Sequence, residues 1–200
     1  MFIQTEKTPN PNTMKFIPGE TVLETGSASF KTKEDAVGVS MLASVLFEIP
    51  DVEQIFFGND FITVTKKEPA DWAMLKASVL TTIMEHYISG RPVMEANKKK
   101  GDKSINKADT SAEEDSEIVK TIKELIDTRV RPAVAEDGGD IIFQGFKDGT
   151  VYLELHGSCS GCPSSTVTLK NGIETMLKHY IPEVLAVEAA NGMGEEHFDL

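Results

Sequence analysis

The sequence predicts two small α+β domains joined by a flexible linker. Its 200 residues suit two small domains better than one large one. Mixed helix and strand patterns occupy residues 1–91 and 113–190, and a polar, lysine-rich stretch without apolar periodicity separates them. We therefore place the linker at residues 92–112 and expect a frayed tail at residues 191–200.

The N-terminal unit predicts a hairpin and a long helix. Val52–Phe57 and Phe61–Lys66 are rich in β-branched and aromatic residues, and a three-residue loop with Gly and Asn separates them. Asp71 suits the N-cap of a helix whose apolar positions recur at helical spacing and that ends at Gly90. Val37–Phe47 also has helical spacing. We expect the aromatic side chains of this unit, Trp72, Phe56 and Phe57, to lie in its core.

The C-terminal unit predicts the order α-β-β-α-β. Its first, amphipathic helix ends before Pro132, and a turn at Asp137–Asp140 leads into two strands, Ile141–Phe146 and Val151–Leu155. A second helix with Tyr180 on its inner face and a last strand, Val184–Ala189, complete the unit.

Composition excludes several classes of function. Residues 113–200 carry 7 basic and 17 acidic side chains within a net charge of −12, which argues against binding a nucleic-acid backbone. No apolar run approaches a membrane-spanning length. The first residues lack the pattern of a signal peptide or presequence, so we expect a cytoplasmic protein; a mitochondrial matrix location would require a presequence that has been removed.

The chain has two cysteines, Cys159 and Cys162, in one Cys-x-x-Cys motif. A disulfide framework would need more cysteines spread along the chain, so metal or redox chemistry is favoured. The motif lies between a strand and a helix, and Pro163 suits the first helical position. Cys162 would then be the N-cap, where amide groups and the helix dipole favour a thiolate. With Gly157 and Gly161 beside them, both sulfurs should point outward.

Ligand counting predicts a shared site. Iron–sulfur clusters and structural zinc ions are ordinarily held by four ligands, and this chain offers two thiols. A second copy related by a two-fold axis would supply the other pair, so Cys159 and Cys162 are the predicted metal ligands of a homodimer. On residues alone a zinc-bridged structural dimer or a thiol oxidoreductase uses the same pair and stays open.

Other polar residues have structural explanations. His156 alternates with Leu155, which should put it on the exposed sheet face and makes it a poor third ligand. Asp137 and Asp140 are typical of a turn rather than of acid–base catalysis. Arg131, like Arg129, is expected to be solvated at a helix end. With no catalytic serine, phosphate-binding loop or His-x-x-x-His motif, we predict that the chain is not an enzyme.

Longer motifs resemble a known family. Residues 130–140 and 151–157, followed by Cys159-Ser-Gly-Cys162-Pro-Ser-Ser, resemble the C-terminal domain of NifU proteins. Thr8–Phe16 and Val52–Lys66 resemble the N-terminal domain of Nfu proteins. Together the two resemblances cover nearly the whole chain outside the linker.

The resemblance implies a carrier or scaffold that binds a [4Fe–4S] cluster between two protomers. In it Cys159 and Cys162 would be the cluster ligands, an upstream donor would supply the cluster, and apo iron–sulfur proteins would receive it. The N-terminal domain, which has no cysteine, would serve partner recognition. The further cysteine-containing portions of full-length NifU are absent from this sequence.

Overall fold

The computed structural model describes residues 2–95, 105–106, 117–160 and 163–190. Helices and sheets are both present and form two units, which confirms the predicted α+β class. The predicted linker falls largely on residues 96–104 and 107–116, and the predicted tail on 191–200, all outside the described residues. The domain boundaries at 91 and 113 therefore stay a prediction.

A six-stranded antiparallel sheet and three helices form the N-terminal unit. Its elements are β1 (Gln4–Lys7), β2 (Thr13–Ile17), β3 (Ser27–Phe30), α1 (Lys33–Ala36), α2 (Met41–Leu46), β4 (Val52–Phe57), β5 (Ile62–Lys66) and α3 (Trp72–Ile88), and the two-residue strand β6 (Ile105–Asn106) pairs with β3. The strand order is β1-β2-β5-β4-β3-β6. The predicted hairpin is confirmed as β4 and β5.

Helix α3 begins and ends as the sequence predicts. The Asp71 side chain accepts a hydrogen bond from the Ala73 amide, and Gly90 has a positive φ of 64° just beyond the last turn. The helix predicted over Val37–Phe47 is shorter, since α2 covers only Met41–Leu46, and a separate short helix, α1, ends at Ala36 before that range. Gly38, with φ of 73°, turns the chain between them.

The C-terminal unit has the predicted order α-β-β-α-β. Its elements are α4 (Glu117–Leu125), a π-helical turn (Ile126–Val130), α5 (Arg131–Glu136), β7 (Gly139–Lys147), β8 (Thr150–Gly157), α6 (Pro163–Tyr180) and β9 (Ala186–Ala189). Strand β8 pairs antiparallel with β7 and parallel with β9, so α6 is a crossover helix.

The prediction that the first helix of this unit ends before Pro132 is wrong. A π-helical turn joins α4 to α5. Pro132 lies in the first turn of α5, where its missing amide proton costs little free energy. The helical stretch therefore continues to Glu136 and delivers the chain directly to the Asp137–Asp140 turn.

The two units are in contact. Strand β8 lies against β4 and β5 of the N-terminal sheet. Phe57 belongs to the N-terminal core, as predicted, whereas Phe56 points to the other face of the sheet and approaches Gly157. The N-terminal sheet is thus covered by its helices on one face and by the C-terminal unit on the other. None of the described helices is long and apolar enough to cross a membrane.

Candidate functional site

Cys159 lies in the turn that connects β8 to α6, where the sequence places it. The turn is tied to the loop before β7: the Ser158 amide donates to the Gly138 carbonyl oxygen at 3.1 Å, and the Ser158 hydroxyl donates to the carbonyl oxygen of Asp137. Two loops distant in sequence therefore form one unit around the thiol.

The Cys159 thiol is buried rather than outward-facing. Its residue is 5% exposed and belongs to the C-terminal hydrophobic core, with Sγ 3.8 Å from the hydroxyl oxygen of Ser158. The expectation that the loop presents both sulfurs outward is wrong for Cys159. Cys162 and Gly161 lie outside the described residues, so the N-cap position of Cys162 stays a prediction; α6 does begin at Pro163.

Gly139 makes room for this thiol, and Gly157 lets the two loops approach each other. A Cβ on Gly139 would lie 2.7 Å from the Cys159 sulfur and 2.8 Å from the carbonyl oxygen of His156. Gly157 has a φ of 65°, and its Cβ would lie 2.6 Å from the Gly138 carbonyl oxygen. Sequence reasoning assigned a role to Gly157 but missed Gly139. The paired glycines of Asp-Gly-Gly-Asp were the available signal.

Arg131 and Asp140 form a two-hydrogen-bond ion pair behind the turn. The guanidinium donates from Nε to Oδ1 and from Nη2 to Oδ2, both at 2.9 Å, and Asp140 is 7% exposed. The bonds to Asp140 raise the pKa of Arg131, although burial opposes them. The prediction that Arg131 is solvated is wrong. Arg129 lies over the Tyr180 ring, 5.0 Å from its centroid, and Tyr180 is 47% exposed rather than on an inner face.

His156 is also buried, at 5% exposure, although the sequence predicted an exposed position. The alternation along β8 was interpreted correctly, but the second face of the strand meets the N-terminal sheet instead of solvent. Its Nε2 lies 3.3 Å from a carboxylate oxygen of Glu154. The hydrogen bond from His156 lowers the pKa of Glu154.

Within the part of the chain that the structure describes, no three or more His, Cys, Asp or Glu side chains are grouped to hold a metal ion. Cys159 is the described member of the predicted ligand pair. The arrangement therefore offers a thiol at the meeting point of two loops, beside a helix start.

Comparison with known proteins identifies the class and then the family. The family model "Scaffold protein Nfu/NifU N terminal" matches residues 3–90, and the "NifU-like domain" matches residues 122–188. In that order they define a two-domain protein of the Nfu/NifU scaffold type. The chain belongs to the Nfu family, as its motifs predicted.

Curated relatives agree over nearly the whole chain. A human protein named "NFU1 iron-sulfur cluster scaffold homolog, mitochondrial" is 53% identical over 189 residues, which are 94% of this chain and 71% of that protein. A Drosophila willistoni protein of the same name is 47% identical over 204 residues, covering 100% of this chain and 68% of that protein. These names describe scaffolds rather than enzymes. They also say mitochondrial, which gives the cytoplasmic prediction no support.

Two solved structures are similar over part of the chain. A NifU-like protein from Saccharomyces cerevisiae is 27% identical and covers 48% of this chain and 87% of its own, with a TM-score of 0.44. A crystal structure of a Staphylococcus aureus protein is 27% identical and covers 42% of this chain and 99% of its own, with a TM-score of 0.38. Scores this low support no conclusion about fold.

Proposed function

We propose that the protein carries a [4Fe–4S] cluster as cargo, bound between two protomers through Cys159 and Cys162 of each, and delivers it to apo-proteins. One observation carries the proposal: in a chain of the Nfu family, both cysteines lie in the sequence between Gly157, which ends a strand, and Pro163, which begins a crossover helix. The helix start supplies amide groups and a positive dipole end, which favour thiolates.

Sharing between protomers follows from the number of thiols. Clusters of this kind are held by four thiolates, and each chain brings two. Gly139 and Gly157 let the loops around Cys159 pack closely, because a Cβ on either would overlap a neighbouring atom. A cluster held half by each protomer loses half its ligands when the protomers part, which suits a carrier.

The partners of the proposed carrier are a second copy of the chain, an upstream cluster donor and apo iron–sulfur proteins, with neither nucleic acid nor membrane among them. The names of the curated relatives support work in the mitochondrion. We place the protein there rather than in the cytoplasm.

Recognition of recipients is proposed for the N-terminal domain. Exposed apolar side chains on α3 support this, with Met74 80% and Ile88 73% exposed. In the full-length chain, a variant with both replaced by Asp should bind a cluster normally and transfer it more slowly to some recipients. The control is Phe2→Asp, at a residue that is 86% exposed elsewhere. Unchanged transfer to every recipient would defeat the recognition role.

Anaerobic reconstitution with iron and sulfide tests the central proposal. The wild-type chain should become brown, form dimers and contain about four irons per dimer. Cys159→Ser and Cys162→Ser should lose colour and metal-dependent dimerisation together, whereas Ser160→Ala, in the same turn, should keep both. A cysteine variant that keeps both would show that the ligand assignment is wrong.

The same experiment separates the alternatives. A zinc-bridged dimer would be colourless and would contain zinc after purification without oxygen. A thiol oxidoreductase would reduce disulfides without metal. Either result, in a chain that takes up no iron and sulfide, would replace the carrier proposal.

A further inference from the structure

The N-terminal sheet has a second face that is buried although its residues alternate with core positions. Side chains along a strand alternate between faces, and an antiparallel sheet commonly has one solvated face. Five of the residues that face away from the helices are each at most 8% exposed: Lys15, Ser27, Phe56, Phe61 and Thr63. We call these five residues the second face.

The C-terminal unit covers the second face at the turns that surround Cys159. A Cβ on Gly138 would lie 2.8 Å from the methyl carbon of Thr63, and one on Gly157 would lie 3.1 Å from the Phe56 ring. Two glycine backbones thus lie directly on the N-terminal sheet. Both belong to the pair of loops that holds the thiol.

Lys15 makes the most specific contact across the interface. Its ammonium group donates to the carbonyl oxygens of Ala135 at 3.0 Å and Glu136 at 3.1 Å, and it lies 4.7 Å from the centroid of the Phe61 ring. The last carbonyls of a helix lack intrahelical partners and carry its negative dipole end. A buried lysine of one domain therefore caps α5 of the other, just before the Asp137–Asp140 turn.

Two neutral side chains add further hydrogen bonds between the domains. The Ser27 hydroxyl donates to Oδ2 of Asp140 at 2.6 Å, at the start of β7. The side-chain amide of Asn10, which is 6% exposed, donates to the Ser158 carbonyl oxygen at 3.3 Å. Ser158 immediately precedes Cys159. The N-terminal domain thus bonds to both of the loops that surround the thiol.

We infer that the N-terminal domain is a reversible clamp on the turn that carries Cys159, and that its release favours the joining of two protomers. This rests on the proposed function, because sharing a cluster requires the thiol to reach a second chain. In the clamped form Cys159 is 5% exposed and lies in its own core. Bonds that stabilise the clamped form disfavour a form in which the thiol points outward. By linkage, formation of the cluster-bridged dimer should weaken the clamp.

Features of the interface between the two domains favour its opening. Thr63 Oγ1 is buried and has no hydrogen-bond partner in the described part of the chain, which costs free energy only while the domains are docked. The Lys31–Glu154 pair, at 4.0 Å and with an exposed lysine, adds little. A few polar bonds therefore add to the packing of Phe56, Phe61 and Thr63 in holding the domains together, and single substitutions should shift the balance between docked and released forms in either direction.

Opposite substitutions test the clamp in the full-length, metal-free chain. Lys15→Ala removes two charge-assisted hydrogen bonds and should increase amide exchange at Gly138 and Ser158 roughly tenfold or more, with a larger radius of gyration in X-ray scattering. Thr63→Val removes the unbonded hydroxyl and should slow that exchange. Lys7→Ala, at an exposed lysine of β1, is the matched control and should change neither.

The same variants test the coupling to dimerisation. After anaerobic loading with iron and sulfide, Lys15→Ala should reach half dimerisation at a concentration roughly tenfold lower than wild type, and Thr63→Val at a higher one. If Lys15→Ala is poorly folded, Ser27→Ala should give the same direction with a smaller effect. Analytical ultracentrifugation measures both shifts.

Three results would overturn the inference, and they are distinguishable from failure of the proposed function. Wild-type exchange rates in Lys15→Ala and Ser27→Ala would show that the clamp does not exist. Altered exchange with unaltered dimerisation would show that it is not coupled to the site. If wild-type chains never form a cluster-bridged dimer, the carrier proposal fails and the coupling with it, while exchange still reports whether the domains dock.

Discussion

The two hydrophobic cores differ in how they relate to the site. The N-terminal core is rich in fully buried aromatic rings, with Phe16, Phe30 and Phe57 at 0% exposure, and contains no cysteine. The C-terminal core is aliphatic and includes Cys159. The core of the N-terminal domain therefore contains no proposed cluster ligand. In the C-terminal domain, the proposed ligand is also a residue of the core. A substitution at the site should therefore change the packing and stability of the C-terminal core.

The largest expected effect is a loss of stability in the N-terminal core. Phe57→Ala should lower the free energy of unfolding of the N-terminal domain by about 3–5 kcal/mol, because it leaves a cavity where a fully buried ring stood. Urea unfolding measures the loss. Phe2→Ala, at an exposed ring, should stay within about 0.5 kcal/mol of wild type.

A second substitution probes the C-terminal core at the site itself. Gly139→Ala should destabilise the protein by about 1–3 kcal/mol, because the new methyl group would overlap the Cys159 sulfur and the His156 carbonyl oxygen. It should also expose Cys159, which alkylation measures in a Cys162→Ser background. Wild-type stability together with wild-type thiol reactivity would break the claim that site and core are one unit.

The matched glycine lies in the same domain, within α6. Among the described residues, no atom other than those of its chain neighbours and its own helix backbone lies within 4 Å of a Cβ built on Gly172, which is exposed. Gly172→Ala should stabilise the protein by about 1 kcal/mol, since alanine favours a helix interior. Urea midpoints for the two glycine variants should therefore move in opposite directions, and movement in the same direction would contradict the packing explanation.

The smallest effect concerns pH and belongs to the N-terminal domain. Burial lowers the pKa of His86, with help from the charge on Arg91. The unfolded chain then binds a proton more readily below its ordinary pKa of about 6.5, so stability should be complete above that pH and fall as the pH drops below it. Melting temperatures at pH 7.5 and 5.5 should differ less in His86→Gln than in wild type. An equal difference in both would exclude His86 as the cause.

Sequence patterns anticipated most of the architecture. The α3 cap at Asp71, the β4–β5 hairpin and the α-β-β-α-β order are local features, set by capping, turn residues and periodicity. The errors came from tertiary contacts. His156 and Phe56 were misplaced because their surroundings are supplied by strands or loops far away in the chain, and Arg131 because the turn that ends at Asp140 folds back onto it.

The sequence by itself determined the family, the two α+β units and the single pair of cysteines, because these depend on residue type, spacing and order. Tertiary structure alone decided that the Cys159 thiol lies inward against Gly139 and that Lys15 caps a helix of the other domain. The physical reason is that periodicity along a strand shows which residues share a face. What covers that face is decided by the packing of elements that the chain brings together only on folding.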